Sequence, residues 1–340
     1  MEKADFISHP SSGFFLQRNE PALNNLKEEL IKSISENLYI IQYDQYSKYR
    51  YNEGFSASSY FLHRIKKLIS ANQGDWAFFY EFTASGPYIV GVRLSKWDEE
   101  HFGFKMANLQ IFTNPNEKTT GAVKLGAIIK DALNYLKGEG VTFVSSRVNG
   151  DDISSLHSME DKGFRYYDNV IWPISATKDK DFVSEVRLMK PDDVNEIKRI
   201  AENFQYQRGH YYCDDRFDKK VIDAMYPKWI ETTIRNKEHI AIIESDQKVA
   251  GLFVFKMDEE LEDFTGFKYG RLRLLALDSS YRGLGLGEKL FNGTLAIIKN
   301  LGGEYIDSGY STKNHISAKL HAKASFFSVY EEVTFHLWLK

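Results

Sequence analysis

Two stretches of this 340-residue chain repeat one order of elements, and that repetition limits the fold more than any single motif does. In the first stretch the apolar runs "DWAFFYEF" and "YIVGVRL" read as strands around the turn "TASGP". "KWDEEHFGFKMANLQIF" reads as a loop running into another strand. "GAVKLGAIIKDALNYLKGEG" carries apolar residues at helical spacing and stops at Gly138 and Gly140. "VTFVSSRV" is then a strand, "DDISSLHSMEDKGF" a short helix and "RYYDNVIWPI" a closing strand. A polar break, "SATKDKD" at 175–181, is the best linker, and after it the pattern restarts. "SEVRLMK" is a strand, and "PDDVNEIKRIAENF" a helix opening on proline and acids. The helix "KVIDAMYPKWIETTIRN", the strands "HIAIIES", "KVAGLFVFKM" and "GRLRLLALD", a glycine loop and a helix through Leu301 follow. The strand "EYIDSGYS", a helix from Asn314 and "VTFHLWL" end the chain. Even "DKGFRYYDNVIWPI" parallels the terminal "ASFFSVYEEVTFHLWL". The pattern predicts an α/β chain with two copies of one fold, at 76–178 and 182–340. Residues 1–75 form an extension that is partly helical through "PALNNLKEELIKSISENL" and whose role the pattern does not give.

Composition removes several function classes. A net charge of -3 leaves no basic footprint for nucleic acid. The single cysteine, Cys213, excludes an intramolecular disulfide and fits a reducing compartment. "MEKADFISHPSSGFF" has neither the basic region nor the apolar core of a signal peptide, and no apolar run is long enough for a bilayer. A soluble, cytoplasmic protein without membrane contact is expected. No HExxH-like spacing joins the nine histidines, so no catalytic metal is expected.

The glycine loop carries the chemistry. In "YRGLGLGEKL", Gly283, Gly285 and Gly287 stand between a strand and a helix whose Leu286, Leu290, Ile297 and Leu301 share a buried face. Orphan amides at such a helix start form an anion site, and glycines clear the approach of a diphosphate; a plain structural turn is the other reading. The spacing is not GxGxxG, because Glu288 and Leu290 occupy the third-glycine positions, and not GxxxxGK[ST], because Glu288 follows Gly287.

What remains, Arg282-x-x-Gly285-x-Gly287, resembles the [QR]xxGx[GA] loop of the GNAT acetyltransferase superfamily, which holds the pyrophosphate of acetyl-CoA. "NHISAKLHAKASF" resembles the superfamily's second motif through Asn314 and Phe326, with His321 in place of its tyrosine and Ser325 in place of its glycine. From about residue 95 onward, "KWDEEHFGF", "DKGFRYYD", "FQYQRGHYY" and "YPKWIETTIRN" are similar to the two-domain dTDP-fucosamine N-acetyltransferases.

The resemblance implies two tandem GNAT-like domains, each a mixed, centrally antiparallel sheet flanked by helices. The first would be degenerate, since its equivalent of the coenzyme loop reads "TTGAVKLGAI". The second would bind acetyl-CoA as co-substrate through Leu275, Ala276, Leu277, Arg282, Gly283, Leu284, Gly285, Leu286, Gly287 and Asn314. An amine would attack the thioester directly, without an acyl-enzyme. His321 would protonate the departing thiolate, or only pack and hydrogen-bond beside pantetheine. Asp168, at the family's acidic position, would take the amine proton through water or orient the amine, a surface aspartate being the plainer reading. Arg208, His210, Tyr211 and Tyr212 would contact the acceptor, foremost a nucleotide-linked amino-deoxy sugar. Acylation of an amino acid, peptide or other small amine, an acyl-CoA sensor without turnover, and a homodimer all stay open.

Overall fold

The computed structural model of the chain describes residues 12–18, 24–36, 56–71, 73–113, 115, 121–177, 185–203 and 208–339. Among them are thirteen strands and ten α-helices, which fall into two compact units. One unit is residues 1–167 together with 330–340; the other is residues 168–329.

The first unit opens with β1 (Ser12–Arg18), α1 (Asn24–Glu36) and α2 (Ala57–Ser70). It continues through β2 (Gln73–Thr83), β3 (Gly86–Leu94), α3 (Lys96–Phe102), β4 (Met106–Thr113) and α4 (Gly121–Gly138). β5 (Phe143–Asn149) and α5 (Ile153–Asp161) follow, and the chain's last strand, β13 (Phe327–Trp338), returns to this unit. Strands run β1-β2-β3-β4-β5-β13, antiparallel throughout except β4 beside β5. On one face α4 buries Leu125, Ile129 and Leu136 against Phe79, Val90, Leu109 and Val144, and Phe335 of β13 joins them. On the other, Leu30 and Ile34 of α1 and Phe61, Ile65 and Ile69 of α2 cover Phe15, Phe78, Ile89 and Phe112. Successive residues of a strand point to opposite faces, so a sheet covered on both sides needs apolar residues without interruption, which is what "WAFFY" supplies. The 1–75 extension therefore belongs to this unit, pairing through β1 and roofing it through α1 and α2. "KWDEEHF", expected as loop, is helix α3, ended by Gly103 in the left-handed conformation (φ 80°).

The second unit begins in β6 (Arg165–Ala176) and contains β7 (Val186–Leu188), α6 (Val194–Glu202), α7 (Lys219–Arg235), β8 (His239–Ser245) and β9 (Lys248–Met257). Then come α8 (Glu259–Thr265), β10 (Tyr269–Leu277), α9 (Leu286–Asn300), β11 (Tyr305–Asp307), β12 (Tyr310–Ser311) and α10 (His315–Lys323). "EYIDSGYS", expected as one strand, is thus two short ones. The order is β6-β11-β10-β9-β8-β7, with β12 also on β6, and only β10 and β11 are parallel. Leu290, Phe291, Leu295 and Ile298 of α9 pack on Ile243, Phe253 and Leu272; Ile197, Ile200 and Ile230 of α6 and α7 pack on Ile242, Leu252 and Ala276 from the other side.

The expected boundaries, 76–178 and 182–340, change at both closing strands. Residues 170–176 of β6 pair with β11 and β12, while residues 332–338 of β13 pair with β5. Both strands carry the same half-apolar pattern, and that local pattern is compatible with either sheet. The linker residues 178–184 lie outside the described ones.

Phe335, 2% exposed, tests this assignment. Phe335→Ala should cost about 3–5 kcal/mol in chemical denaturation, with hydrogen-exchange protection lost in α4 and retained in α9. Loss in α9 with α4 unaffected would return β13 to the second unit.

Candidate active site

All the candidate site residues belong to the second unit. β10 pairs with β11 only from Tyr269 to Arg271, opposite Tyr305 to Asp307. From Leu272 to Leu277 its only strand partner among the described residues is β9, and a bulge at Arg273 re-aims the strand just past the last β11 pair. One hydrogen-bonding edge of Leu275, Ala276 and Leu277 is thus left for something other than a strand. Ala276 faces the α6–α7 side, while Leu275 and Leu277 pack toward α9.

Asp278 fixes the exit from β10. Its Oδ1 accepts the Ser280 hydroxyl and the Ser280 amide, the latter at 2.9 Å, and its Oδ2 meets Arg199 Nη1 of α6 at 2.6 Å. The Ser280 hydroxyl and amide, with Arg199, hold its carboxyl down at about 2. The loop that follows is built for an anion. Gly283 (φ 83°) and Gly285 (φ 77°) are left-handed, a conformation glycine adopts without penalty, and a Cβ at either would meet nothing within 4 Å. Gly285 is the N-cap of α9, and its carbonyl accepts the amides of Glu288 and Lys289 at 3.2 and 3.3 Å. The amides of Gly283, Leu284, Gly285, Leu286 and Gly287 donate to no acceptor among the described residues. Arg282 is exposed, with Nη2 3.4 Å from the Leu277 carbonyl. A run of amides, exposed from Gly283 to Gly285 and unsatisfied among the described residues, at the positive end of a 15-residue helix fits a diphosphate.

Asn314 caps α10, its Oδ1 accepting the Ser317 amide at 3.1 Å. His321, 3% exposed, sits among the rings of Phe291, Phe326 and Tyr310 at centroid distances of 4.9, 4.9 and 4.8 Å. Its Nδ1 lies 2.8 Å from the Ser317 carbonyl, which only an N–H can satisfy, and its buried Nε2 has no partner among the described residues. Burial pushes its pKa down to about 4. Near neutral pH the ring is therefore neutral and Nε2 is an acceptor. The proton-donor role expected of His321 needs the imidazolium, which this site disfavours; the hydrogen-bonding role fits. Ser325, at the family's glycine position, keeps the left-handed backbone (φ 59°).

Asp168 is 2% exposed, not the surface residue of the plainer reading. It accepts the Ser311 hydroxyl at 2.6 Å, and Lys313 Nζ stands 4.0 Å away. Lys313 Nζ also donates to Cys213 Sγ at 3.2 Å, and Arg208 Nη1 donates to the Lys313 carbonyl at 2.9 Å. Tyr310 and Ser311 are consecutive, so one short strand touches both His321 and Asp168. Of the expected acceptor residues, Arg208 reaches this cluster. His210 and Tyr211 pack on each other at 4.1 Å, Tyr211 on Phe217 at 4.9 Å, and the buried Tyr212 hydroxyl has no partner among the described residues. Ser311, Lys313 and Tyr310 were not singled out by their local sequence; no spacing rule joins them, and it is β12 pairing on β6 and the Lys313–Cys213 contact that bring them together with Cys213. Among the described residues no group of three or more His, Cys, Asp or Glu could hold a metal ion, and no helix is long and apolar enough to cross a membrane.

Comparison with known proteins places this geometry. The model of the acetyltransferase (GNAT) family matches residues 199–326. No curated protein matches the chain by sequence. A GCN5-related N-acetyltransferase from Sphaerobacter thermophilus has a similar structure at 10% identity, with a TM-score of 0.60 over 96% of this chain and 95% of its own. A tandem GNAT protein of the clavulanic acid biosynthesis pathway is similar at 10% identity and a TM-score of 0.55, over 96% and 98%. A glucosamine N-acetyltransferase region of a fungal multi-domain β-N-acetylglucosaminidase is similar at 13% identity and a TM-score of 0.58, over 97% of this chain and 38% of that one. These likenesses establish a shared fold, and the segment from Arg199 of α6 to Phe326 beside His321 is the part of the chain that matches the acetyltransferase (GNAT) family.

Proposed function

We propose that the second unit binds acetyl-CoA and transfers its acetyl group to the amine of a small acceptor, foremost an amino-deoxy sugar linked to a nucleotide. The observation that carries this reading is the run of amides from Gly283 to Gly287, without acceptors among the described residues and with open space before Gly283 and Gly285, beside the unpaired edge of β10. The amides and Arg282 bind the diphosphate. The free edge of Leu275 to Leu277 binds the amide-bearing arm and places the thioester carbonyl. Asn314 fixes the start of α10 and with it His321, whose Nε2 accepts a hydrogen bond from the bound ligand.

Catalysis then rests on positioning and on one base. Holding amine and thioester in contact removes much of the entropic barrier. Asp168 accepts the proton that the attacking amine loses, through a bridging water. A thiol titrates near 8.5, so the sulfur can depart as thiolate and take a proton from solvent. Arg208 and Lys313 offer cations to an acidic acceptor, as a nucleotide diphosphate is. The amino-sugar assignment draws further support from the fungal region, whose structural likeness covers 97% of this chain and which is described as acting on glucosamine.

Calorimetry with acetyl-CoA is the first test. The native protein should bind and Gly285→Glu should lose at least about tenfold in affinity, since a side chain at positive φ costs about 1–2 kcal/mol and a carboxylate enters the anion's place. Failure of the native protein to bind sinks the proposal. With a nucleotide-linked amino sugar as acceptor, thiol release by Asp168→Asn should fall about 10²–10⁴-fold in kcat/KM; a loss under tenfold removes the base. His321→Phe should slow turnover less than about tenfold and His321→Gln should recover it, because an acceptor is all that is replaced. A loss of 10²-fold or more in both variants would reinstate His321 as the acid.

A further inference from the structure

Asp168 lies almost wholly out of water, and a carboxylate there needs partners to stay charged. Ser311, at the end of β12, and Lys313, in the turn that follows it, supply two. The Ser311 hydroxyl donates to Oδ1 at 2.6 Å, and the same Ser311 oxygen accepts the Lys313 amide at 3.2 Å, which fixes the hydroxyl's direction. The Lys313 ammonium stands 4.0 Å from the same Oδ1. Lys313 is itself held from the far side. Cys213 Sγ, in the 3₁₀ turn His210–Cys213, accepts from its ammonium at 3.2 Å, and the Arg208 guanidinium binds its carbonyl at 2.9 Å. The turn is locked to β6 by Thr312, whose amide donates to the Asn169 carbonyl at 2.8 Å. The titratable groups that these contacts range about the carboxylate are thus Lys313 directly, and Cys213 and Arg208 behind it.

We infer that Ser311 and Lys313 are positioning residues for Asp168: the hydroxyl sets the orientation of the carboxylate and the ammonium balances its charge. The inference rests on the proposal that Asp168 acts on the acceptor amine. Neither residue need touch the reacting atoms. Their arrangement has a direct physical consequence, because removing a donor or a cation from a carboxylate favours its protonated form.

The test reads that protonation without needing turnover. In the full chain labelled with carboxyl-13C aspartate, the Asp168 resonance is identified by its loss in Asp168→Asn. Its titration midpoint should rise by about one pH unit in Ser311→Ala and in Lys313→Met. Ser311→Thr, which keeps the hydroxyl, and Lys313→Arg, which keeps the charge, should return it toward the native value. Should Ser311→Ala not fold, Lys313→Met decides alone. Midpoints unmoved in the variants that fold overturn the inference, since a residue that only packs would lower stability without moving the titration. A midpoint that moves while Asp168→Asn keeps native turnover overturns the base proposal instead, so the two failures are distinct.

Discussion

The pairing of β6 with β11 and β12 is the constraint on which the rest of the site depends. β11 runs beside both β10 and β6, but only for Tyr305 to Asp307. Past that point the chain stays with β6, where Tyr310 and Ser311 pair with Ile171 and Val170, and leaves β10 behind. A strand cannot follow two diverging neighbours, so β10 keeps an open edge from Leu272 onward. The same pairing brings Ser311 alongside the segment that carries Asp168. The groove on one side and the buried carboxylate on the other are consequences of one strand changing allegiance.

An ionic cluster sits at the point of divergence. Arg271 is opposite Asp307 in the last β10–β11 pair, with Nε 3.0 Å from Oδ1, and it also meets Asp258 at 3.1 Å. Asp307 is 1% exposed, so leaving it without the guanidinium would strand a buried charge, which costs about 3–5 kcal/mol. Such a penalty pins the place where pairing stops, in a way that apolar packing, tolerant of sliding, does not. Asp278 performs the equivalent task at the other end of the open edge, tying the loop entrance to Arg199 on α6. The unpaired stretch of β10 and the amide run of Gly283 to Gly287 are therefore held between two ionic anchors.

Much of this was legible in the sequence where it depends on near neighbours. The helix after the glycine loop buries Leu286 and Leu290 as its spacing predicts, although Ile298 rather than Leu301 completes that face. The left-handed glycines follow from a loop that must turn a strand into a helix, and Asn314 is the cap that its place before "HISAKLHAK" suggests. What was not legible depends on distant partners. Nothing within "RYYDNVIWPI" or "VTFHLWL" says which sheet each will close, since alternating apolar residues suit either. Lys313 reads as one more surface lysine until the fold sets it between Asp168 and Cys213. His321 has the residue type of a proton donor, and only its burial among three rings and its bond to the Ser317 carbonyl turn it into an acceptor.

The electrostatics of the site bear on which amine it suits. With His321 neutral, the proton chemistry of the proposed reaction falls to Asp168, and carboxylates as a class are weak bases. An alkyl amine such as a lysine side chain titrates near 10.4 and is almost wholly protonated at neutral pH, so a weak base would seldom free it. An amine flanked by electron-withdrawing carbons, as an α-amino group is, titrates near 7.7–8.0 and already offers a usable neutral fraction. The amine of an amino-deoxy sugar, beside oxygen-bearing carbons, is of this second kind. A weak base need only receive a proton that is already loosely held, and for such an acceptor holding the nitrogen against the thioester matters more than forcing the proton away.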